Sequence, residues 1–346
     1  MKVIKRKLAD LNKCYSVAPL KIDGQDRILV AAEKQDPCLL FDADGSELET
    51  VWEGPGGVMS MVQVPGGNGS FLATHKFYSP NDSKEAKIVI AQPGEDGWTV
   101  RTLVDLPFVH RFDILKGKDR NWLLACTLKS GHEFKEDWSS PGKVWAAELP
   151  ADLSGFNEDN QLQIMPIAEG LLRNHGYSRI ACEDHDECLV GSENGVFRFA
   201  PPDQDDSWNL EKLIDSPTSD MLLVDLDEDG KDELITLSPF HGDQISIWKD
   251  LGNGFKKIWD YGEKTEFLHA ITAGKINGKP TAFIGNRKGK RNLYALTWDP
   301  ASETFVTEVI DTDRGPANVM YFNKDGRDRL VATNRETDEI AMYEFS

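Results

Sequence analysis

Leu223 to Leu237 reads LVDLDEDGKDELITL, an acidic loop set directly between two short apolar runs. Asp225, Asp227, Asp229, Gly230, the Lys231 carbonyl and Glu233 follow the first nine places of a calcium loop, in which oxygens recur at alternate positions and Gly allows the sharp turn. Position 12 is Thr236 rather than a bidentate Glu. The flanks LLV and LIT have strand length and no 3.6-residue period. The stretch is therefore a strand, a turn and a strand, and not a helix-loop-helix. A hard cation, most simply Ca²⁺, would neutralise carboxylates that otherwise repel one another. An acidic hairpin turn without metal is the plainer alternative, since Asp and Gly are ordinary turn residues.

The same plan recurs along the chain. Outer-strand segments VIKRKLAD, LETVWEGP, TVRTLVDL, QIMPIAEG, LEKLIDSP, FKKIWDYG and FVTEVIDT alternate with paired apolar segments. The pairs are PLKIDGQDRILVAA, VQVPGGNGSFLATH, DILKGKDRNWLLAC, SRIACEDHDECLVG, LVDLDEDGKDELIT, AGKINGKPTAFIGN and MYFNKDGRDRLVAT. A repeat of about 50 residues outranks any local reading. Four short strands per unit, with no amphipathic helix, predict an all-β, seven-bladed β-propeller over residues 1–346 rather than a sandwich. Length alone favours two domains; the repeat removes that need. The chain ends three strands into the last unit, so the N-terminal strand, Val3 to Asp10, is expected to complete that blade and close the ring. Blade three is longest, with its excess in KSGHEFKEDWSSPGK and ADLSGFNEDNQ.

A net charge of −19 and a pI of about 4.8 argue against nucleic acid and anionic membrane as partners. No apolar segment follows the basic N-terminus and no run reaches membrane length, so the cytoplasm is the expected compartment. Five cysteines without a CxxC pair point to buried thiols rather than a disulfide framework or a cysteine zinc site. Composition leaves oligomeric state open.

The DLDEDGKDEL loop and its weaker copies resemble the FG-GAP and VCBS repeats of propeller proteins. That resemblance implies a structural calcium in the blade, held by Asp225, Asp227, Asp229, Lys231 and Glu233. HEFKEDWSSPGKV in blade three, with the histidine placement, is similar to the propeller domain of aldos-2-ulose dehydratases. This implies a metal-assisted lyase acting on keto- or anhydro-sugars, although the cupin domains that accompany that propeller are missing.

Strand direction alternates within a blade, so loops before the first strand and after the second open on one face. His110, His175 and His269 stand at the start of innermost strands, where three imidazoles would suit a catalytic divalent metal, zinc or manganese, with positions left for substrate. His75, His132 and His241 follow second strands on the same face; His185 alone lies in the opposite turns. Each histidine taken singly also fits an ordinary half-buried residue. Candidate bases are Tyr177, His132, His75 and Lys129, and Lys76, His241, Arg287, Arg335 and Trp138 are candidate substrate contacts. Removal of an α-proton from a small keto-sugar and loss of its β-substituent is the expected chemistry. A non-catalytic, calcium-stabilised propeller that binds glycan or protein is the alternative.

Overall fold

The computed structural model describes residues 2–203 and 207–346. Seven four-stranded antiparallel sheets follow in chain order. Blade one comprises Cys14–Ile22, Gln25–Ala32, Cys38–Asp42 and Glu47–Trp52, and blade two Met61–Gln63, Phe71–His75, Lys87–Gly94 and Gly97–Asp105. Blade three comprises Val109–Lys116, Asn121–Lys129, Pro141–Leu149 and Met165–Leu171; blade four, Gly176–Ala181, Asp186–Ser192, Gly195–Ala200 and Asn209–Ile214. Blade five comprises Asp220–Val224, Glu233–Ser238, Gln244–Asp250 and Phe255–Asp260; blade six, Glu266–Ile276, Lys279–Lys288, Leu293–Asp299 and Thr304–Asp311. Asn318–Lys324, Arg327–Asn334 and Glu339–Phe345 form blade seven with Val3–Asp10 as its outer strand. Each innermost strand touches those of the two neighbouring blades, and that of blade seven touches blade one, so the ring closes.

Closure is by backbone pairing from Val3↔Phe345 to Asp10↔Glu339. It covers the edge that the last three strands would leave exposed. Packing seals the same seam, with Leu11, Cys14, Val30 and Phe41 of the first turn of chain against Val331 and Met342. Second strands carry near-continuous apolar runs because blades cover both their faces: Phe71–His75 is buried at every position. Outer strands such as Glu47–Trp52 are exposed over their first half, hence their charged residues. Between blades one and two, Leu29, Leu40, Phe71 and Val89 interlock. Ile235, Ile247, Ile284 and Leu296 do so between blades five and six. Each such side chain contributes about 1.5–3 kcal/mol on burial. Among the described residues no helix is long and apolar enough to cross a membrane.

Candidate functional site

Innermost strands present their first residues at one mouth of the ring. In three blades this residue is a β-bulge: the pairing register shifts at Tyr15, at His110 and at His269. A bulge re-aims one side chain out of the ladder, which here turns all three toward the axis. His175 stands immediately before its strand. Next to it, a Cβ on Gly176 would lie 2.7 Å from the Ser219 carbonyl oxygen, so glycine lets blade four approach blade five.

Ser219 and Ala317 hold the imidazoles. His175 Nδ1 is 3.0 Å from the Ser219 carbonyl, and His269 Nδ1 is 2.6 Å from the Ala317 carbonyl. A carbonyl only accepts, so both Nδ1 atoms carry the proton and both Nε2 atoms present lone pairs. His241 Nε2 lies 3.3 Å from His175 Nε2, and ring donors of His175, His241 and His269 all fall within 4.8 Å of one another. In a tetrahedron with metal–nitrogen bonds of about 2.05 Å, ligand atoms stand about 3.3 Å apart. The backbone carbonyls supply the second-shell orientation that metal-binding histidines use. The donor set therefore fits a borderline divalent cation.

This alters the expected ligand set. His241, read from the sequence as a substrate contact, joins His175 and His269. His110 stands beside them, its ring 4.4 Å from that of His175, but outside the converging trio. Its Nδ1 is buried without a hydrogen-bond partner among the described residues. Burial, reinforced by neighbouring imidazoles and guanidinium groups, pushes His110, His241 and His269 well below the usual histidine range. Burial and Arg111 bring His175 down to about 3. All four are neutral at physiological pH, the form that ligates metals or accepts a proton.

Around the trio, His241 is sandwiched by Phe240 at 3.9 Å and Phe267 at 4.2 Å between ring centres. Arg287 lies 4.9 Å over Phe267 and donates two hydrogen bonds to Glu336, at 2.9 and 2.8 Å. Arg335 joins the same network through Glu336 and Glu33. The Tyr15 hydroxyl donates to His269 Nε2 at 2.9 Å, and burial raises its pKa to about 12. Directly below, a polar chamber of about 400 Å³ occupies the ring axis, lined in part by Ser60, Arg111, Tyr177, Asp220 and Asn318. Arg111 crosses it, donating to Met59 O at 2.9 Å and to Asn318 Oδ1 at 3.3 Å, with Asp220 at 3.7 Å. Burial pushes Asp220 up to about 6 against the pull of Arg111.

The remaining expected site residues separate. His75 packs on Trp52 at 4.7 Å and borders a cleft between blades one and two with Lys76, which pairs with Glu85 at 3.1 Å. That cleft is not the histidine mouth. Burial, with Lys87 and Lys76, lowers His75 to about 3. Lys129 is fixed by Asn81 Oδ1 at 3.0 Å, the Asp137 carbonyl at 2.8 Å and the Trp138 ring at 4.0 Å. It braces the blade-three excursion rather than facing the axis. His132 meets the Phe108 ring edge-on, and neither ring nitrogen has a hydrogen-bond partner among the described residues. Tyr177 is half-buried beside the chamber, and burial drives its hydroxyl well above the usual range, so it stays protonated and offers no basic form. Trp138 reaches the site, edge-on to Phe240 at 5.4 Å.

At the far end of blade five's first strand, the opening loop folds on itself. Asp229 N–H donates to Asp225 and Asp227 carboxylates at 3.1 and 3.2 Å, and Gly230 N–H to Asp225 at 3.0 Å. Carboxylate oxygens of the three aspartates lie within 4.8 Å of one another, and buried Glu233 accepts from Leu226 N–H at 2.8 Å. These oxygens fit a hard cation. The Lys249 ammonium already stands among them, 2.6 Å from Asp227, 2.9 Å from Asp229 and 2.6 Å from Glu233. Burial opposes its charge, but the three carboxylates overcome this and hold its pKa above the usual lysine range. A calcium ion at this point would have to displace Lys249.

Tyr15, Arg111, Asp220, Phe240 and Phe267 were not anticipated. Tyr15 stands at the start of blade one's innermost strand, the place that His110 and His269 hold in theirs, and could have been found by the same reasoning; nothing in the sequence marks the others.

No known protein family matches the chain, and no curated protein does. Solved structures do. The β-propeller domain of Myceliophteria thermophila Cps50 (Swd1) superposes with a TM-score of 0.62 at 10% identity, covering 99% of this chain and 100% of that one. A periplasmic gluconolactonase of Pseudomonas aeruginosa, PpgL, gives 0.61 at 13% identity, over 94% and 91%. These likenesses, with the seven closed sheets, show that the chain is a seven-bladed β-propeller.

Proposed function

We propose that the chain is a metal-dependent carbon–oxygen lyase that acts on a keto- or anhydro-sugar at the histidine mouth. One observation carries the reading: the ring nitrogens of His175, His241 and His269 converge within 4.8 Å, two of them oriented by backbone carbonyls. The bound metal, zinc or manganese, would polarise the substrate's ketone oxygen and acidify the neighbouring C–H. His110, neutral and with a free Nδ1 beside the trio, is the group to accept that proton; it replaces Tyr177, Lys129 and His75 in this role. Arg287 supplies a donor at the rim for the substrate's oxygens; the Tyr15 hydroxyl, which donates to His269 Nε2, would turn from that nitrogen when the metal binds; and Phe240, Phe267 and Trp138 keep water out. The sequence resemblance to aldos-2-ulose dehydratases supports the sugar and the elimination. A gluconolactonase of similar fold is consistent with a sugar-sized ligand, by fold analogy alone.

Metal analysis of purified protein, followed by chelation and turnover of keto-sugars with zinc, manganese, cobalt, nickel or magnesium restored, tests this. The expected result is one transition metal per chain, lost in His175→Ala and in His241→Ala, with elimination activity recovered on reloading. His110→Ala should keep the metal and lose at least 100-fold in turnover, as for a positioned base. Protein that retains no transition metal and turns over no keto-sugar would instead be a binding propeller.

A further inference from the structure

We infer that the hairpin joining the first two strands of blade four is a second metal site, in which Cys182, His185 and Glu187 bind a zinc-class cation. It lies on the face opposite the histidine mouth, and the inference stands independently of the proposed activity. The hairpin is closed by Cys182 N–H donating to the His185 carbonyl at 3.0 Å. This puts the Cys182 sulfur, an imidazole nitrogen of His185 and a Glu187 oxygen within 4.8 Å of one another, all half-buried.

The arrangement of His185, with a carboxylate at each ring nitrogen, calls for a proton or a cation at Nε2. Its Nδ1 is 2.6 Å from Asp184 Oδ1, and a carboxylate only accepts, so Nδ1 carries a proton. Its Nε2 faces Glu187 Oε1 at 3.2 Å. In the neutral ring that places a lone pair against a carboxylate oxygen, which is repulsive unless a proton or a metal lies between them. Cys182 sulfur, within reach of both, favours the metal: a borderline cation accepts thiolate, imidazole and carboxylate together. Asp184 then fills the outer-shell place that orients a ligating histidine. Arg198 pairs with the other Glu187 oxygen, Oε2, holding that carboxylate while Oε1 stays directed at the ring. His185 and Glu187 also border a cleft of about 540 Å³, which provides an access path and room for water as a fourth ligand. Cys14, Cys38, Cys126 and Cys188 are buried, and Cys182 is the one thiol of the five placed at such a cluster.

Cobalt(II) added to the metal-free full-length protein reads this site directly, because a cobalt–thiolate bond gives a near-ultraviolet charge-transfer band that imidazole and carboxylate ligands do not. The band is expected in the wild type and in His175→Ala, and absent in Cys182→Ser. Zinc titration should show the same pattern: Cys182→Ser and Glu187→Gln each weaken one equivalent at least tenfold, with melting temperature in chelator unchanged. Asp184→Asn, which perturbs orientation alone, should weaken it less. A wild type with no thiolate band, or a band that survives Cys182→Ser, overturns the site. Failure of the histidine mouth to bind metal would leave the band in place, so the two readings are separable.

Discussion

Replacing Lys249 by Met keeps the stem that packs within blade five and removes the ammonium from among Asp227, Asp229 and Glu233. The side chains of these three carboxylates are 17%, 48% and 0% exposed. Breaking a buried pair by deleting one partner costs about 3–5 kcal/mol, since the remaining charge is left uncompensated. Glu233 supplies most of that term; Asp229 is screened by solvent and adds little. The loss is therefore about 3 kcal/mol. With an unfolding entropy of about 2.1 cal/mol/K per residue over 346 residues, it lowers the melting temperature by about 4 °C in chelator. Calcium should now enter the vacated centre. At a hundredfold excess over its dissociation constant a ligand restores about 2.7 kcal/mol, nearly the whole loss. The wild type, whose centre holds its own cation, should gain far less from calcium. Differential scanning calorimetry of both proteins, with EGTA and with millimolar calcium, makes the comparison. A variant that melts with the wild type in EGTA, or a wild type that gains as much from calcium as the variant, would refute the argument that Lys249 occupies the calcium position.

Asp220 provides a pH signature. Its carboxyl, raised to about 6 by burial from an ordinary 3.8, binds its proton more tightly in the folded state. It therefore contributes stability that is fully present below about pH 4 and lost as pH rises through 6, about 3 kcal/mol at 1.36 kcal/mol per unit. Asp220→Asn should flatten melting temperature between pH 4.5 and 7; an unchanged slope would show that Arg111 keeps the carboxylate ionised throughout. Replacing residues 131–140 by a short Gly-Ser linker removes Trp138 from Phe240 without cutting a blade strand, and should leave metal content intact while lowering turnover at least tenfold. Unaltered kinetics in that folded, metal-loaded protein would exclude a part for Trp138 in keeping water from the site.

Much of the architecture was legible because a propeller writes its geometry into a repeat. Outer segments such as VIKRKLAD and FKKIWD are amphipathic, since one side of the outermost strand meets solvent. Second strands such as ILVAA are apolar throughout, since both faces meet neighbouring blades. Even closure could be read, as an unpaired first strand and a missing last one are complementary deficits. The cationic centre of the acidic loop was not legible. Lys249 lies 16 residues beyond Glu233 on the adjacent third strand, directly opposite it in the ladder, and that register follows from the length of the intervening turn rather than from anything in the acidic loop.

The histidine mouth was half legible for a related reason. Counting strands locates a residue along the ring axis but not the direction of its side chain. Tyr15, His110 and His269 share one place in that count and one device, a bulge at the start of the innermost strand. His241 reaches the same centre from the next row out by a turn, Ser238 to Gly242, in which His241 adopts φ +49°. A Cβ on Gly242 would stand 2.3 Å from the Ser238 carbonyl oxygen, so the turn can tighten only because that residue is glycine. The turn folds inward rather than outward because Phe240 and Phe267 clamp the imidazole on both faces, and because the His241 N–H donates to Ser219 Oγ at 3.1 Å. Ser219 thus fixes two imidazoles at once, His175 through its carbonyl and His241 through its hydroxyl. A histidine cluster assembled through one serine just ahead of blade five's first strand has no signature in spacing, which is why strand position favoured His110, the neighbour whose own place it could see.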